Sequence, residues 1–543
     1  MDMQFWDQEL KNFGVNTTIQ IPDRVNNLSE FLSERMNRNG AQTGLSYQGR
    51  KISFKEIDSH SQAISNGLKN LNLKKGSRIA IMLPNCLHYP MLVLGILRAG
   101  YIVVNVNPLY TLHELKNLLH DSGAEVLISM NKDFYPHLES IESLHKIFHI
   151  TDLDFKLELT NIISQNNKIE DIVNLYRNIE LRSDIDSEQV CLDDIAFIQY
   201  TGGTTGISKG AMLSHRNVIF NILQNASIVK GYLGDKPLDK EQYTLCILPL
   251  YHIFSLTVCL LTWGLYLGYT NVLIPNPKDI SFVLQEYERN PPTLLAGVNT
   301  LFNVLVHLDK FKDLDHPNLK ITIGGGSSIM EETAKKWHEI TNQFIYEGYG
   351  LSETSPTLTT NLAQSNTFSG TVGLPLPLTE IVILNDQYQI LGVEEEGQIA
   401  VKGPQVMSGY WNKKEETNKV FSPDGYFLTG DIGKIDRNGH IKILDRQKDM
   451  ILVSGFNVYP NEVENVLMQH PAVKEVAVIG VDDAKSGQVP KAYIVKEDKQ
   501  LSIEELLLHC KNYLTNYKCP KYFEFLEELP KSNVGKILRK DLR

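Results

Sequence analysis

Tyr200-Thr-Gly-Gly-Thr-Thr-Gly-Ile-Ser-Lys209, continued by Gly210-Ala-Met-Leu-Ser-His215, is the stretch on which the reading of this chain turns. Its first ten residues combine three glycines, four aliphatic hydroxyls and one lysine. Such a loop lets the backbone approach an anion while N–H groups, hydroxyls and ammonium all point inward, which makes it a phosphate cradle. It is not a Walker A loop, because the gap from Gly203 to Gly206 is too short and no Gly-Lys-Ser/Thr triplet closes it. Nucleotide chemistry unlike that of P-loop NTPases is therefore expected. The plainer alternative is a flexible Gly/Ser/Thr surface turn.

The flanking chain alternates helix and strand. Upstream, Ser53-Phe-Lys-Glu56 is a capping box opening a helix with Ile57, Ile64 and Leu68 on one side. Arg78–Leu83, Tyr101–Val106 and Ala124–Ser129 are apolar runs of strand length, separated by a helix through Met91–Leu97 and another capped by Thr111-Leu-His-Glu114. Strands buried on both faces and separated by helices predict a doubly wound, largely parallel sheet. The polar, Asn-rich stretch 160–188 reads as a surface insertion. Downstream, Leu245–Leu248, Leu294–Gly297 and Lys320–Ile323 continue the α/β pattern. The last runs through Gly324-Gly-Gly-Ser-Ser328 toward a helix over Met330–Thr341, which would set backbone donors at a helix N-terminus.

After about Thr371 the pattern changes to short alternating strands, Glu380–Leu384, Gln398–Lys402, Gly433–Asp436 and His440–Leu444, with a hairpin turn at Arg437-Asn-Gly-His440. This predicts a small antiparallel β unit. Asp445-Arg-Gln-Lys-Asp449 then reads as an interdomain joint. Beyond it, strands over Glu475–Ile479, Ala492–Val495 and Phe523–Phe525 with a capped helix Ser502–Leu514 make a small α+β domain. The end, Lys531–Arg543, holds five basic residues against one acid and reads as a solvated or an anion-reaching tail.

A chain of 543 residues implies roughly three or four folding units at about 150 residues each. With 53 Lys+Arg against 64 Asp+Glu, its charge of −11 argues against a nucleic-acid partner. Six scattered cysteines without CxxC spacing suggest free thiols in a reducing compartment. The N-terminal Met1–Glu9 lacks the basic-then-apolar order of a signal peptide, so a cytoplasmic location is expected. From Ile253 to Pro277 no side chain is charged, but Gly264, Gly268 and Pro275 break the stretch into a helix and a short strand, Val272–Ile274.

Six motifs stand in one order: Tyr200–Gly210, Pro249-Leu-Tyr-His-Ile-Phe254, Gly348-Tyr-Gly-Leu-Ser-Glu-Thr354, Leu428-Thr-Gly-Asp431, Asp445–Ile451 and Pro530–Lys536. Together they resemble the adenylate-forming superfamily of acyl-CoA synthetases, nonribosomal peptide adenylation domains and luciferases. Lys448–Glu462 and Leu529–Lys536 look most like bacterial long-chain fatty acyl-CoA synthetases. The resemblance implies an α/β fold: a large adenylation domain (1–447) of doubly wound subdomains plus the β unit, and a small mobile α+β domain (448–543). It implies ATP, Mg²⁺ and CoA acting on a fatty acid, with acyl-adenylate formed first and the acyl group then passed to CoA.

Residue by residue, the resemblance assigns Thr201, Gly202, Gly203, Thr204, Thr205, Gly206 and Lys209 to the phosphates, and Thr204 and Glu353 to Mg²⁺. Gly325 and Gly326 would approach the adenine and Tyr349 would stack on it, with Gly350 and Thr354 in the same motif. Asp431 would accept the ribose hydroxyls beside Arg446. Lys536 would bridge the fatty carboxylate and the α-phosphate, so Lys536, Glu353 and Thr204 form the catalytic set. Lys448 corresponds to the hinge, and Gly455 to the thiol's passage in a second domain arrangement. His252 would line the acyl tunnel, but Ser255-Leu256 stands where some relatives carry a gating tryptophan. Peripheral contact with the cytoplasmic membrane is implied by the substrate, and a homodimer is left open. A fatty acyl-AMP ligase serving a separate carrier, or a non-catalytic fatty-acid-binding protein at the membrane, are the competing expectations.

Overall fold

The computed structural model describes residues 3–150, 169–171, 189–201, 208–234, 241–361, 368–532 and 535–543. The first sheet has seven strands. From one edge they are Ile169–Asp171, Lys146–His149, Val126–Ser129, Arg78–Met82, Ile102–Asn105, Ile195–Thr201 and Lys209–Ser214. All neighbours are parallel except the last pair. The expected capping boxes are present: Ser53 and Glu56 open helix Phe54–Lys69, and Thr111 and Glu114 open helix Leu112–Ser122. Of the polar stretch 160–188, only Ile169–Asp171 is described, and it adds an edge strand. The reading of its remainder as an insertion falls outside the described residues.

The cradle is the connection of the antiparallel pair. Thr201 and Lys209 face each other across it in register, so both ends of the loop are fixed by a sheet ladder. Residues 202–207 lie outside the described residues.

A second, nine-stranded sheet has a parallel centre from Thr270–Leu273 through Tyr243–Cys246, Leu294–Gly297 and Ile321–Gly324 to Ile345–Gly350. One hydrophobic core joins both sheets: it includes Ile79, Val103 and Phe197 from the first, Leu294 from the second, and Leu256 and Trp263 from the helix between them. That helix, Ser255–Tyr266, is followed by the expected short strand, Thr270–Leu273, but runs through Gly264 without a break. It is a π-helix, fully buried along its length. The cause is local: Asn271 donates to the Cys259 carbonyl at 2.7 Å, and Thr262 Oγ1 donates to the Thr257 carbonyl at 2.7 Å, so side chains take carbonyls that a regular ladder would use. Gly264 makes room for this, since a Cβ there would lie 2.3 Å from the Asn271 amide. Among the described residues no helix is long and apolar enough to cross a membrane.

The small antiparallel unit consists of Glu380–Leu384, Gly397–Lys402, Phe427–Ile435 and Ile441–Arg446. Its third strand starts six residues earlier than the predicted 433, at Phe427, and carries Asp431 within the ladder opposite Arg446. The hairpin turn is closed by Asp436, whose Oδ1 accepts from the Asn438 and His440 amides at 2.8 and 2.9 Å.

The last body has a five-stranded sheet, Ile451–Val453, Phe456–Val458, Gly487–Lys496, Val473–Asp483 and Tyr522–Leu526, covered by helices Pro460–Met468 and Ile503–Tyr513. It has its own core, including Ile451, Val463, Leu467, Ile494 and Leu506. The basic tail is not a solvated extension. Lys531 bridges Ile537, Tyr493 Oη donates to the Leu542 carbonyl at 2.7 Å, and Arg539 is buried among carboxylates.

Candidate active site

The second sheet, the small β unit and the last body surround a cavity of about 2380 Å³. Thr201 and Lys209 line it at the root of the cradle. The Lys209 ammonium pairs with Glu416 and lies 5.3 Å from the centroid of the Tyr410 ring. Tyr410 Oη in turn donates to Glu353 Oε1 at 2.8 Å. Burial raises the Glu353 carboxyl above its usual range, with the Tyr410 hydrogen bond opposing. Lys209 and Glu353, far apart in sequence, are thus linked through a tyrosine that sequence reasoning missed.

Close by, strand Ile345–Gly350 presents Tyr349, whose hydroxyl donates to Asp431 Oδ2 at 2.6 Å. Arg446 Nε lies 3.1 Å from Asp431 Oδ1. Both carboxylate oxygens therefore have a donor, and each keeps capacity to accept again. The strand register that sets Asp431 opposite Arg446 builds this pair without any loop. Gly350 is required by space, since a Cβ there would fall 2.0 Å from the Pro356 carbonyl oxygen. Gly325 and Gly326 line the cavity, Gly326 with φ +75°.

Two expectations need correction or refinement. The Gly-rich turn before helix Glu331–Thr341 does not leave all its donors free: the Ile329 amide donates to Glu347 and the Met330 amide to Asn299. Glu347, also missed from the sequence, is a buried carboxyl on the cavity wall that burial pushes up to about 7. Thr354 is fully buried, and its hydroxyl is spent within the turn on the Leu351 and Pro356 backbone, so it does not line the cavity. Gly455 lies outside the cavity altogether, in an exposed turn at φ +88° where a Cβ would meet nothing within 4 Å. Thr204, Thr205, Gly202, Gly203 and Gly206 belong to the cradle tip outside the described residues.

Lys536 does reach the cavity. Its segment turns at Gly535, φ +77°, where a Cβ would meet Thr300 Oγ1 at 2.4 Å, so the last body touches helix Asn299–Val306. Lys536 keeps an open side toward the cavity. Burial, then the Arg446 charge, lowers its pKa to about 8, with Asp431 opposing. His252 is close enough to feel it: burial, then Lys536, lowers the imidazole to about 4, which leaves it neutral.

Among the described residues no group of three or more His, Cys, Asp or Glu side chains could hold a metal alone. Mg²⁺ does not need one, because phosphate oxygens and waters complete its shell around one or two carboxylates. The buried Glu353 carboxyl on the cavity wall, with one hydrogen-bond donor at Oε1, fits that demand.

Thr201 and Lys209 at the root of the loop, the Asp431–Arg446 pair and Lys536 of the last body thus line one cavity. Comparison with known proteins gives the class of enzyme to which this chain belongs. The model of the AMP-binding enzyme family matches residues 32–411, and that of the AMP-binding enzyme C-terminal domain matches 462–536. The long-chain-fatty-acid–CoA ligase of Salmonella typhimurium strain LT2 is 42% identical, covering 96% of this chain and 95% of that protein. The ligase of the same name from Bacillus subtilis strain 168 is 35% identical, covering 99% and 97%. Among solved structures, the anthranilate CoA ligase AuaEII in complex with anthranoyl-AMP superposes with a TM-score of 0.85 at 26% identity, covering 96% and 97% of the two chains. ATP-bound MatB from Rhodopseudomonas palustris gives 0.81 at 28%, covering 96% and 98%. The chain belongs to the AMP-binding enzyme family and is an ATP-dependent acid–thiol ligase.

Proposed function

We propose that this enzyme joins a long-chain fatty acid to CoA in two half-reactions served by two arrangements of the domains 1–447 and 448–543. The observation that carries the reading is Lys536 inside the cavity beside Arg446 and Asp431. In the first half-reaction a carboxylate oxygen attacks the α-phosphorus of ATP and pyrophosphate leaves. Lys536 holds the carboxylate against the phosphate and offsets the charge that builds there. Asp431 accepts the ribose hydroxyls with Arg446 beside it. Tyr349 supports Asp431 through its hydroxyl while its ring faces the adenine, next to Gly325, Gly326 and Gly350. Lys209, with Thr201, Gly202, Gly203, Thr205 and Gly206, grips the departing phosphates, exchanging Glu416 for them. Mg²⁺ held by Glu353 and Thr204 would neutralise pyrophosphate as it leaves.

In the second half-reaction the C-terminal domain turns about Lys448, Lys536 withdraws and the exposed Gly455 turn enters to pass the CoA thiol. The thiol sulfur attacks the acyl carbonyl carbon, AMP departs and the thioester remains. An apolar substrate is supported by a second, small cavity of about 30 Å³. It shares Asn225, Ile323 and Thr360 with the large one and continues between Trp263, Val229 and Phe13. Room for one water is too little for an acyl chain, so these side chains must part as the chain enters. Leu508 and Tyr513, each 63% exposed on helix Ile503–Tyr513 beside Lys511, support peripheral contact with a membrane. One assay tests the reading: AMP and thioester formation from ATP and a graded series of acids, with CoA, with a carrier protein, or with neither. Turnover on the carrier alone, or no AMP at all, overturns it.

A further inference from the structure

Three residues beyond Lys536, Arg539 enters a cluster of carboxylates that the catalytic account leaves unused. Its Nη2 donates to both Glu464 oxygens at 2.8 Å and to Asn461 Oδ1 at 2.8 Å. Its Nη1 lies 3.5 Å from Asp445 Oδ1 and 3.7 Å from Asp449 Oδ2. Asp445 and Glu464 are almost wholly buried, with side-chain exposures of 0% and 5%. Asp445 Oδ2 accepts from the Asn461 amide at 2.8 Å, and Asn461 Nδ2 donates to the Leu444 carbonyl at 3.2 Å. Arg543 adds a contact to Asp449 at 2.6 Å.

The cluster divides at Lys448. Leu444 and Asp445 precede it and end a strand of the small β unit, whereas Asn461, Glu464 and Arg539 follow it and belong to the last body. A turn about Lys448 would carry Arg539, Glu464 and Asn461 together and leave Asp445 behind. The Glu464–Arg539 fork survives such a turn, since Val478 and Asn461 move with it. The three contacts made by Leu444 and Asp445 do not. Buried charge pairs cost most when one partner is removed and the other stays buried, so this seam favours one orientation over others.

We propose that Asp445 and Arg539 are positioning residues that latch the C-terminal domain in the orientation delivering Lys536. The proposal rests on the two-arrangement reading above. Arg539 anchors the lysine segment to Glu464 within its own domain, and Asp445 catches that anchored segment from the other side of the joint. The latch therefore selects the half-reaction through the position it gives Lys536.

The test compares half-reactions in the full-length enzyme. Asp445→Asn keeps the shape of the side chain and removes its charge. It should lower ATP–pyrophosphate exchange by ~10-fold or more, the scale of coupling between contacting buried groups. Thioester formation from supplied acyl-adenylate and CoA should be unchanged or faster. Arg539→Gln should show the same split, and the double variant should cost little more than either alone. Arg539→Lys, which keeps charge but not the fork, should recover part of the exchange. A merely structural role would lower both half-reactions together with the melting temperature, and that result, or exchange unaffected in Asp445→Asn, overturns the latch. Lys536→Ala separates this from failure of the underlying reading: if it retains exchange, the delivery of Lys536 is wrong whatever Asp445 does.

Discussion

The two walls of the cavity are built by different means. The Asp431–Arg446 pair stands on adjacent strands and Tyr349 on a third, each fixed by a ladder of backbone hydrogen bonds. Lys536 stands on a turn of a body that has its own core and meets the cavity rim through Gly535, Thr300 and the Asp445–Arg539 seam. A wall made of sheet can hold a nucleotide in one geometry throughout. A wall made of side-chain contacts can come and go, which suits a group needed in one half-reaction and obstructive in the next.

The sharpest way to break that contrast is Lys536→Ala. Loss of a single group that stabilises transition-state charge costs ~10²–10³-fold in rate. ATP–pyrophosphate exchange should fall by at least that factor while nucleotide affinity, read by equilibrium binding, stays near wild type because the fixed wall is intact. Next, Gly455→Trp places a bulky side chain at a positive-φ turn. Exchange should persist and thioester formation should drop by ~10²-fold. Equal loss of both steps in either variant would mean that the two walls act as one.

A smaller effect follows from charge. In the proposed mechanism Lys536 acts as a cation, and with its pKa lowered to about 8 it carries its proton below that value and loses it above. The exchange rate should therefore decline roughly tenfold per pH unit above about 8, a limb that Lys536→Ala should lack. Stability moves the other way. The unfolded lysine still binds its proton up to 10.5, so unfolding free energy should rise with pH between about 8 and 10.5 as the folded state sheds a charge crowded by the cavity walls and Arg446. The smallest expected effect is at the end of the apolar cavity. Phe13→Ala should shift the preferred acid to longer chains by a few-fold in kcat/KM, about the worth of one or two methylenes.

Local signals made much of this legible. Capping boxes at Ser53 and Thr111 declare themselves within four residues, and apolar runs of strand length need no partner to be recognised. The order of motifs reached Asp431, Arg446, Glu353 and Lys536, which the fold gathers around one cavity. What stayed hidden depends on contacts distant in sequence. Tyr410 reaches Glu353 across 57 positions, Lys209 reaches Glu416 across 207, and Arg539 reaches Asp445 across 94. None of these partners carries a local pattern. Thr354 illustrates the converse, a motif residue whose hydroxyl closes a turn and never meets the cavity. The π-helix was hidden for a similar reason, since Asn271, twelve residues on, decides what the Cys259 carbonyl does.

The most direct measurement is of the moving wall itself. Labels at Phe456→Cys and Leu109→Cys, both exposed positions, in a chain whose exposed Cys191 is replaced, report the distance from the Gly455 turn to the cavity rim. With ATP and a fatty acid carboxylate analogue the distance should stay at its resting value. With a non-hydrolysable acyl-adenylate and CoA it should shorten as the turn enters the cavity. One unchanged distance through both conditions, with thioester still formed, would contradict the two-arrangement account.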